Sequence, residues 1–344
     1  MAGTNEIDFS SEDWGRPTPI FENCWVVAER HSPGFNKTFG ELNNRTFAFR
    51  LKNKEGREVL VVLGCGGPPA LAAAKELEKD TGLLVEWVVG NGGAHHLFLD
   101  LWYEAFPEAR VLIPSKRVPN TRNGKELAAK YEKRWELMHG PRPTQLVEEF
   151  GDQIDVVIFD QLHGFSDETN ASVMGGPKDH TSEPPKRGGF STIMKMGGQM
   201  KDMSQPTDEV TFFHKKSGLV IGGHNFQFIY VPKGHAPSKE HRLQSAGFPL
   251  NVAMSMMMPK GQFVSNLEGM PCPIADPERH IEEWNLVLDW DIQAWTTAHN
   301  PPTVCGPALS PDELKTAIRE SLHRSGEDDP TGQRLKWNKK NGKK

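Results

Sequence analysis

The stretch WVVGNGGAHHLFLDLWYEAFPEARVLIP, residues 87–114, decides the fold class of this chain. An apolar run ends in glycines, two adjacent histidines follow at His95 and His96, and the apolar spacing then becomes helical before a second apolar run. This order predicts a strand, a helix and a strand with short connections, the repeating unit of α/β sheets. Ligand sites in such sheets form where the carboxyl ends of strands converge, so the two histidines stand where a site is expected.

The same kind of pattern extends in both directions along the chain. Apolar runs separated by the turns NKEG and KKSG predict β-hairpins over residues 45–63 and 208–231. Helices are predicted in ALAAAKELEKDTG, in the charged segment 124–150, in PERHIEEWNLVLDW and in SPDELKTAIRESLHR, which starts with a serine N-cap. Hairpins within a βα pattern predict an α/β fold of four layers, an αββα sandwich with two mixed sheets between outer helices.

The chain is long enough for one large domain with a substantial core. We expect an N-terminal extension over residues 1–44 that packs on a domain spanning 45–307, followed by a C-terminal helix and basic tail over 308–344. Two irregular insertions rich in Gly, Pro and Met interrupt the domain at about 167–206 and 233–261. Because they leave the sheet directly after His163 and shortly after His224, we expect them to cover the site.

Composition excludes several classes of function. The formal net charge of -5 and the pI near 6.2 provide no basic field, so no nucleic-acid partner is expected. No apolar run reaches the length of a membrane span and no signal peptide is recognisable, which predicts a soluble, cytoplasmic protein without membrane contact. The cysteines form no CxxC pair, which argues against a disulfide framework and a thiolate zinc site; they are Cys24, Cys65, Cys272 and Cys305. Nothing in the sequence predicts the oligomeric state.

Histidines that follow strand-like runs and open a loop are the strongest candidates for a site. There are five of them: His95, His96, His163, His224 and His299. If these runs are strands of α/β sheets, the five imidazoles can meet at one edge, and converging imidazoles suit zinc, iron, copper or nickel. The alternative is that each is a hydrogen-bonded loop or core histidine, which is the commoner role of a single histidine at a strand end.

Two carboxylates are expected near the same edge. Asp160 lies at the end of the run QIDVVIFDQLHG, and Asp167 follows in the next loop. Either could orient an imidazole N–H group or act as a general base. The alternative for both is a solvated loop carboxylate.

The motifs around these histidines resemble those of the metallo-β-lactamase superfamily, over residues 45–307. They occur in the family's order: NGGAHHLF at 91–98, LHGFSDE at 162–168, GGHNFQF at 222–228 and AHNPP at 298–302. The first is similar to an uncharacterised branch in which an N-x-x-x-H-H-L-F turn replaces the usual HxHxDH turn. The resemblance implies the four-layer sandwich with the two insertions added to it.

The resemblance also implies a ligand set. The final Asp-His of HxHxDH matches His95 and His96, whereas the two earlier histidines fall on Asn91 and Gly93. Later ligand positions match His163, His224 and His299. The implied centre is therefore one divalent ion, zinc or alternatively iron, held by His95, His96, His224 and His299 with His163 close by. His163, Asp160 and Asp167 are the implied catalytic side chains.

From this we expect a metal-dependent hydrolase, in which a metal-activated water attacks an ester, lactone, thioester or related bond of a small molecule. One alternative keeps the metal but performs an oxidative, lyase or isomerase step in a specialised pathway. Another is a non-enzymatic binding protein with a degraded metal site, since Asn91 and Gly93 depart from the motif.

Overall fold

The computed structural model places the chain in two β-sheets with helices on both outer faces. It describes residues 14–30, 43–92, 98–116, 125, 129–130, 135–164, 205–223, 226–227, 264–265, 275–298, 303–304 and 310–326.

The first sheet has seven strands in chain order. They are β1 (Thr18–Phe21), β2 (Cys24–Arg30), β3 (Asn43–Lys52), β4 (Glu58–Leu63), β5 (Val85–Val89), β6 (Arg110–Pro114) and β7 (Trp135–Met138). Strands β1 to β4 pair antiparallel, and β4 to β7 pair parallel. The predicted hairpin over 45–63 is thus the β3–β4 pair, and the parallel half carries the predicted βαβ unit.

The second sheet has five strands in the order β14-β13-β10-β9-β8. They are β8 (Ile154–Gly164), β9 (Gln205–His214), β10 (Leu219–Gly222), β13 (Ala294–Thr297) and β14 (Thr303–Val304). The predicted turn KKSG joins β9 to β10, which pair antiparallel. A separate short pair consists of β11 (Phe226–Gln227) and β12 (Val264–Ser265).

The described helices cover the outer faces of the two sheets. They are α1 (Pro68–Thr81), α2 (Leu99–Ala105), α3 (Thr144–Phe150), α4 (Pro277–Leu288) and α5 (Pro311–Gly326). Apolar side chains of both sheets form a central core, α1 and α2 pack on the outer face of the first sheet, and α4 and α5 pack on the second. The layers are therefore helix, sheet, sheet and helix, which confirms the predicted sandwich. None of the described helices is long and apolar enough to span a bilayer.

Local signals fix several helix ends as expected. At the start of α5, the Ser310 hydroxyl accepts the Glu313 amide at 3.2 Å, and the Glu313 carboxylate accepts the Ser310 amide at 2.7 Å. This reciprocal pair is a capping box. The carboxylate of Asp276 accepts the Arg279 amide at the start of α4, and α1 ends at Gly82 with φ of 69°.

The structure differs from the predicted helix over residues 124–150. Residues 135–138 form β7, which pairs parallel with β6, and α3 begins only at Thr144. The helical prediction is therefore wrong for residues 135–143. A partner strand decides the conformation of so short a segment, and charge patterning along the chain does not reveal that partner.

A glycine joins the two sheets. Gly92, just beyond β5, forms an isolated antiparallel bridge with Glu209 in β9, and the Val210 amide donates to the Asn91 carbonyl at 3.1 Å. Gly92 has φ of 87°, and a Cβ there would overlap the carbonyl oxygen of Asp208. Only glycine allows both this backbone conformation and this approach.

We predict that Gly92→Ala destabilises the fold by about 1 to 3 kcal/mol more than Gly56→Ala. Gly56 is a matched control, because it also has a positive φ, 79°, but a Cβ there meets no atom within 4 Å. The free energies of unfolding from urea titrations would measure the difference. Equal losses in the two variants would show that the contact with Asp208 imposes no constraint.

Candidate functional site

The strands that lead to the later histidines point toward one edge of the second sheet. Strands β8 and β10 both run antiparallel to β9, and β13 runs parallel to β10, so all three have their carboxyl ends on the same side. Gly222 pairs with Thr297, and each lies two residues before a candidate histidine, His224 or His299. His163 lies in β8 itself, where its backbone pairs with Pro206.

The exit of β5 reaches the same edge from the first sheet. The bridge between Gly92 and Glu209 holds this exit against β9, three residues before His95. The exit of β5 and the end of β8 therefore lie beside residues 206–210 of β9, Gly223 at the exit of β10 lies against Glu209, and the exit of β13 lies beside that of β10. Whether the five imidazoles themselves meet there stays a prediction.

Glu209 occupies the centre of this convergence. It is 3% exposed, and its Oε2 atom lies where the Cβ of any larger residue at position 223 would stand. The Asn91 carbonyl oxygen is 3.5 Å from the same position. The absence of a side chain at Gly223 thus makes room for a buried carboxylate between the exits of β5 and β10.

Asp208, the neighbouring acid, has a different role. It is 1% exposed, and its Oδ2 atom accepts the Lys116 amide at 2.6 Å, which ties the end of β6 to β9. Because side chains alternate along a strand, Asp208 shares the face of Val210, which packs in the core between the sheets, and Glu209 lies on the opposite face. Neither residue is among the candidates that the sequence pattern indicates. The available signal was an acidic pair directly before the apolar part of a strand, since one of two successive side chains must face inward.

Asp160 lies in a β-bulge where the register of β8 shifts between Phe159 and Leu162. Its Oδ2 atom is 3.5 Å from Lys116 Nζ and 3.4 Å from Arg279 Nη2, and its carbonyl accepts a hydrogen bond from the same lysine. The structure therefore places Asp160 between two cationic side chains, where it anchors the end of β8. Its predicted role as a base or orienting group stays a prediction.

A buried hydrogen-bond chain from α4 supports the same bulge. Trp284 Nε1 donates to His280 Nε2 at 3.1 Å, and His280 Nδ1 lies 3.2 Å from Glu283 Oε2. Indole N–H can only donate, so this network assigns the imidazole proton to Nδ1, which donates to the carboxylate. The other oxygen of Glu283 accepts the Asp160 amide at 3.2 Å. Burial raises the pKa of Glu283 to about 8.

Most of the predicted site side chains lie outside the described residues. These are His95, His96, His224, His299 and Asp167, together with the insertion over 233–261 and all of the insertion over 167–206 except its last two residues. For His163 the structure describes the backbone alone. Within the described part of the chain, no three His, Cys, Asp or Glu side chains are grouped closely enough to hold a metal ion. The predicted ligand set therefore stays a prediction.

The residues around the convergence fit a bound cation. The Glu209 carboxylate lies buried between two of the strand exits. The absence of a side chain at Gly223 leaves room for this carboxylate. Asn91, where the family motif has a histidine, is 4% exposed, and its Oδ1 atom has no hydrogen-bond partner in the described structure. A buried oxygen without a donor is costly, and a nearby cation or water would relieve that cost.

No family model and no curated protein matches the chain. Among solved structures, it is similar to a metallo-β-lactamase from Pontibacter korlensis, with 10% identity over 90% of this chain and 98% of the other, at a TM-score of 0.43. It is similar to the metallo-β-lactamase FIM-1 from Pseudomonas aeruginosa in its mono-zinc form, with 11% identity over 90% and 95% of the chains, at 0.43. It is also similar to a fragment of a putative diflavin flavoprotein from Nostoc sp. PCC 7120, with 9% identity over 90% and 96%, at 0.46.

We predict that Glu283 makes the stability of the fold depend on pH. Its pKa is about 8 in the folded protein against a reference of 4.5, so its stabilising contribution is complete below about pH 4.5 and is lost as the pH rises to about 8. Glu283→Gln removes this titration, so the stability of the variant relative to the parent should improve as the pH rises, by at most about 1.4 kcal/mol per pH unit.

Urea titrations between about pH 5 and about pH 9 would measure this effect. The control is Glu282→Gln, because Glu282 is exposed on the same helix. Its profile should run parallel to that of the parent. A parallel profile for Glu283→Gln as well would contradict the prediction.

Proposed function

We propose that this protein is a metal-dependent hydrolase that cleaves an ester, lactone, thioester or related bond of a small molecule. The observation that supports the proposal is that the described strands leading to the candidate histidines, β5, β8, β10 and β13, end toward the same edge of the structure. In register, Gly222 of β10 pairs with Thr297 of β13, and Gly92 beyond β5 bridges to Glu209. Chain segments from both sheets meet there at the edge where α/β folds bind ligands.

Four histidines hold the ion in this proposal: His95, His96, His224 and His299. A single zinc ion bound by them would supply Lewis acidity and lower the pKa of a water molecule toward neutrality. All four ligands are neutral, so the ion keeps its full charge, which strengthens both effects. Iron would suit the same imidazoles, and the choice between the two metals decides between hydrolytic and oxidative chemistry.

The protein's own groups give the site its shape. The Asp160 bulge, held by Lys116, Arg279 and Glu283, fixes the end of β8 where His163 lies. His163 is proposed to act on the substrate or its attacking water, with Asp167 as a further carboxylate in the following loop. The insertions begin at these strand ends, so they are proposed to cover the substrate.

We predict that His96→Ala and His299→Ala abolish metal retention without unfolding the protein. The control is His139→Ala, because His139 is exposed at the end of β7, outside the proposed ligand set. Elemental analysis of protein purified without chelator should find about one ion per chain in the parent and the control. Metal content equal to the parent's in both the His96 and His299 variants would refute the site.

The reaction class is tested on the same preparations. We expect the parent to hydrolyse members of a panel of esters, lactones and thioesters, to lose activity with chelator, and to regain it with zinc. His163→Ala should reduce turnover more than metal content, because it is proposed to act on substrate. Consumption of dioxygen by an iron-containing parent would instead favour an oxidative enzyme, and a parent that binds no metal would indicate a binding protein with a degraded site.

A further inference from the structure

We propose that Glu29 and Asn44 form a neutral acid–amide pair, and that this pair is a pH-sensitive latch between the first sheet and the start of α1. Glu29 lies near the end of β2, and its backbone pairs with that of Asn44 in β3. Neither residue belongs to the proposed metal site, so this inference is independent of the proposed function.

The first argument is the uneven distribution of hydrogen bonds on the Glu29 carboxyl group. Its Oε1 atom accepts the Gly67 amide at 2.7 Å and the Asn44 side-chain amide at 3.0 Å. Its Oε2 atom is buried and has no hydrogen-bond partner within the described residues, and the same holds for Asn44 Oδ1. In a neutral carboxylic acid the carbonyl oxygen accepts and the hydroxyl oxygen donates. One proton on Oε2, donated to Asn44 Oδ1, therefore gives both oxygens a partner.

The second argument is that the groups acting on this carboxyl are neutral. Glu29 is 5% exposed and Asn44 is 8% exposed. Burial raises the pKa of Glu29 above its usual value, whereas the Gly67, Asn44 and Ala70 amides lower it by a smaller amount. A buried carboxyl that meets only neutral donors is easier to keep protonated than one beside a cation.

The ionisable side chains nearby do not supply a positive charge. Arg45 follows Asn44, but side chains alternate along a strand, so Arg45 shares the inner face of Phe47 in the central core. Cys65 and Tyr103 lie in the outer cluster beside α1, and burial raises the pKa of the Cys65 thiol to about 12, so it stays uncharged. The first turn of α1, PPAL, has no ionisable side chain.

The latch holds a junction from which two helices are positioned. Gly67 is the N-cap residue of α1, and the preceding Gly66 donates its amide to the Thr46 hydroxyl at 3.1 Å. The Gly66 carbonyl accepts the indole N–H of Trp102 in α2 at 2.8 Å. A Cβ at position 66 would lie 2.7 Å from Glu29 Oε1, so the close approach of the carboxyl group requires glycine there.

Ionisation of Glu29 opens the latch in this proposal. The shared proton is lost, and two buried acceptors, Glu29 Oε2 and Asn44 Oδ1, are left without a donor between them. Because the folded pKa lies above the usual value of 4.5, the stabilising contribution of the pair is complete below about pH 4.5 and is lost as the pH rises through the folded pKa. The junction of β4, α1 and α2 should therefore loosen as the pH rises.

The variant Glu29→Gln tests the latch, because glutamine reproduces the neutral acid: its Nε2 can donate to Asn44 and its Oε1 can still accept. The control is Glu55→Gln, since Glu55 is exposed in the β3–β4 turn. Urea titrations of the full-length protein between about pH 4 and about pH 8 would give the equilibrium constant for unfolding. The constant of the parent relative to Glu29→Gln should rise with pH, by at most about tenfold per pH unit. Relative to Glu55→Gln it should change much less.

Two further measurements report the proton and the junction directly. At about pH 5.5, where an ordinary glutamate is ionised, the infrared difference between parent and Glu29→Gln should contain the carbonyl band of a protonated carboxylic acid. Hydrogen exchange read by mass spectrometry, corrected for the intrinsic effect of pH, should show protection of residues 64–71 and 98–105 falling with pH in the parent. In Glu29→Gln this protection should persist.

Each outcome decides for or against the latch. Parallel pH profiles of the parent and Glu29→Gln, or a difference spectrum without the acid band, would show that Glu29 is ionised and that a water molecule pairs the two oxygens instead. If Glu29→Gln does not fold, Asn44→Ala is the second variant. Loss of the amide partner should shift the acid band, and an unchanged spectrum would contradict the pair. No step depends on bound metal, so failure here leaves the proposed function intact.

Discussion

The hydrogen bond from the Val210 amide to the Asn91 carbonyl is the contact on which the arrangement of the site depends. The β9–β10 ladder extends to the pair of Phe212 and Ile221. Two residues earlier in β9, at Val210, the hydrogen-bond partner is Asn91 from the first sheet. The exit of β5 is thus inserted into the ladder of the second sheet, and it fixes the distance between segments that are far apart in sequence. Without this contact the two sheets would still share a core, but the exit of β5 would not be fixed relative to β9.

Buried carboxylates organise the surroundings of that edge, and each faces a different part of the molecule. Asp208 faces the first sheet through Lys116, Glu283 extends from α4 to the β8 bulge, and Glu209 faces the exits of β5 and β10. Burying a carboxylate is unfavourable unless donors or cations compensate it. Such groups are therefore typical of places where the relative positions of chain segments must be fixed. Here they surround the region that the histidine pattern indicates.

Much of the fold follows from local signals in the sequence. The glycine turns before β4 and β10, the capping box of α5 and the apolar periodicity of α1 all act within a few residues, so periodicity and turn chemistry suffice to predict them. Pairing between distant segments does not follow in this way. Strand β7 exists because β6 offers it a partner, and β1 and β2 extend the first sheet from a segment that we expected to be an extension.

Some features of the candidate site can likewise be predicted from local sequence, whereas others depend on contacts between distant segments. Strand ends followed by histidines can be recognised from sequence, because a change from apolar to polar residues is local. The importance of Glu209 could not be predicted, because it depends on glycines at positions 92 and 223, which approach β9 only in the folded chain. The surroundings of Asp160 were equally hidden, since its cationic neighbours come from the end of β6 and the start of α4.

The bulge in β8 has a further consequence, for self-association. Strand β8 is the long outer strand of its sheet, and an exposed outer strand offers free amides and carbonyls to another chain. Here the Ile158 amide bonds to the Pro141 carbonyl, the Asp160 amide to Glu283, and the Gln161 carbonyl to the Ala275 amide. Over this stretch these backbone groups of β8 are already hydrogen-bonded, so a strand of a second molecule cannot pair with them. The same contacts that shape the end of β8 therefore also protect this sheet edge against edge-to-edge aggregation.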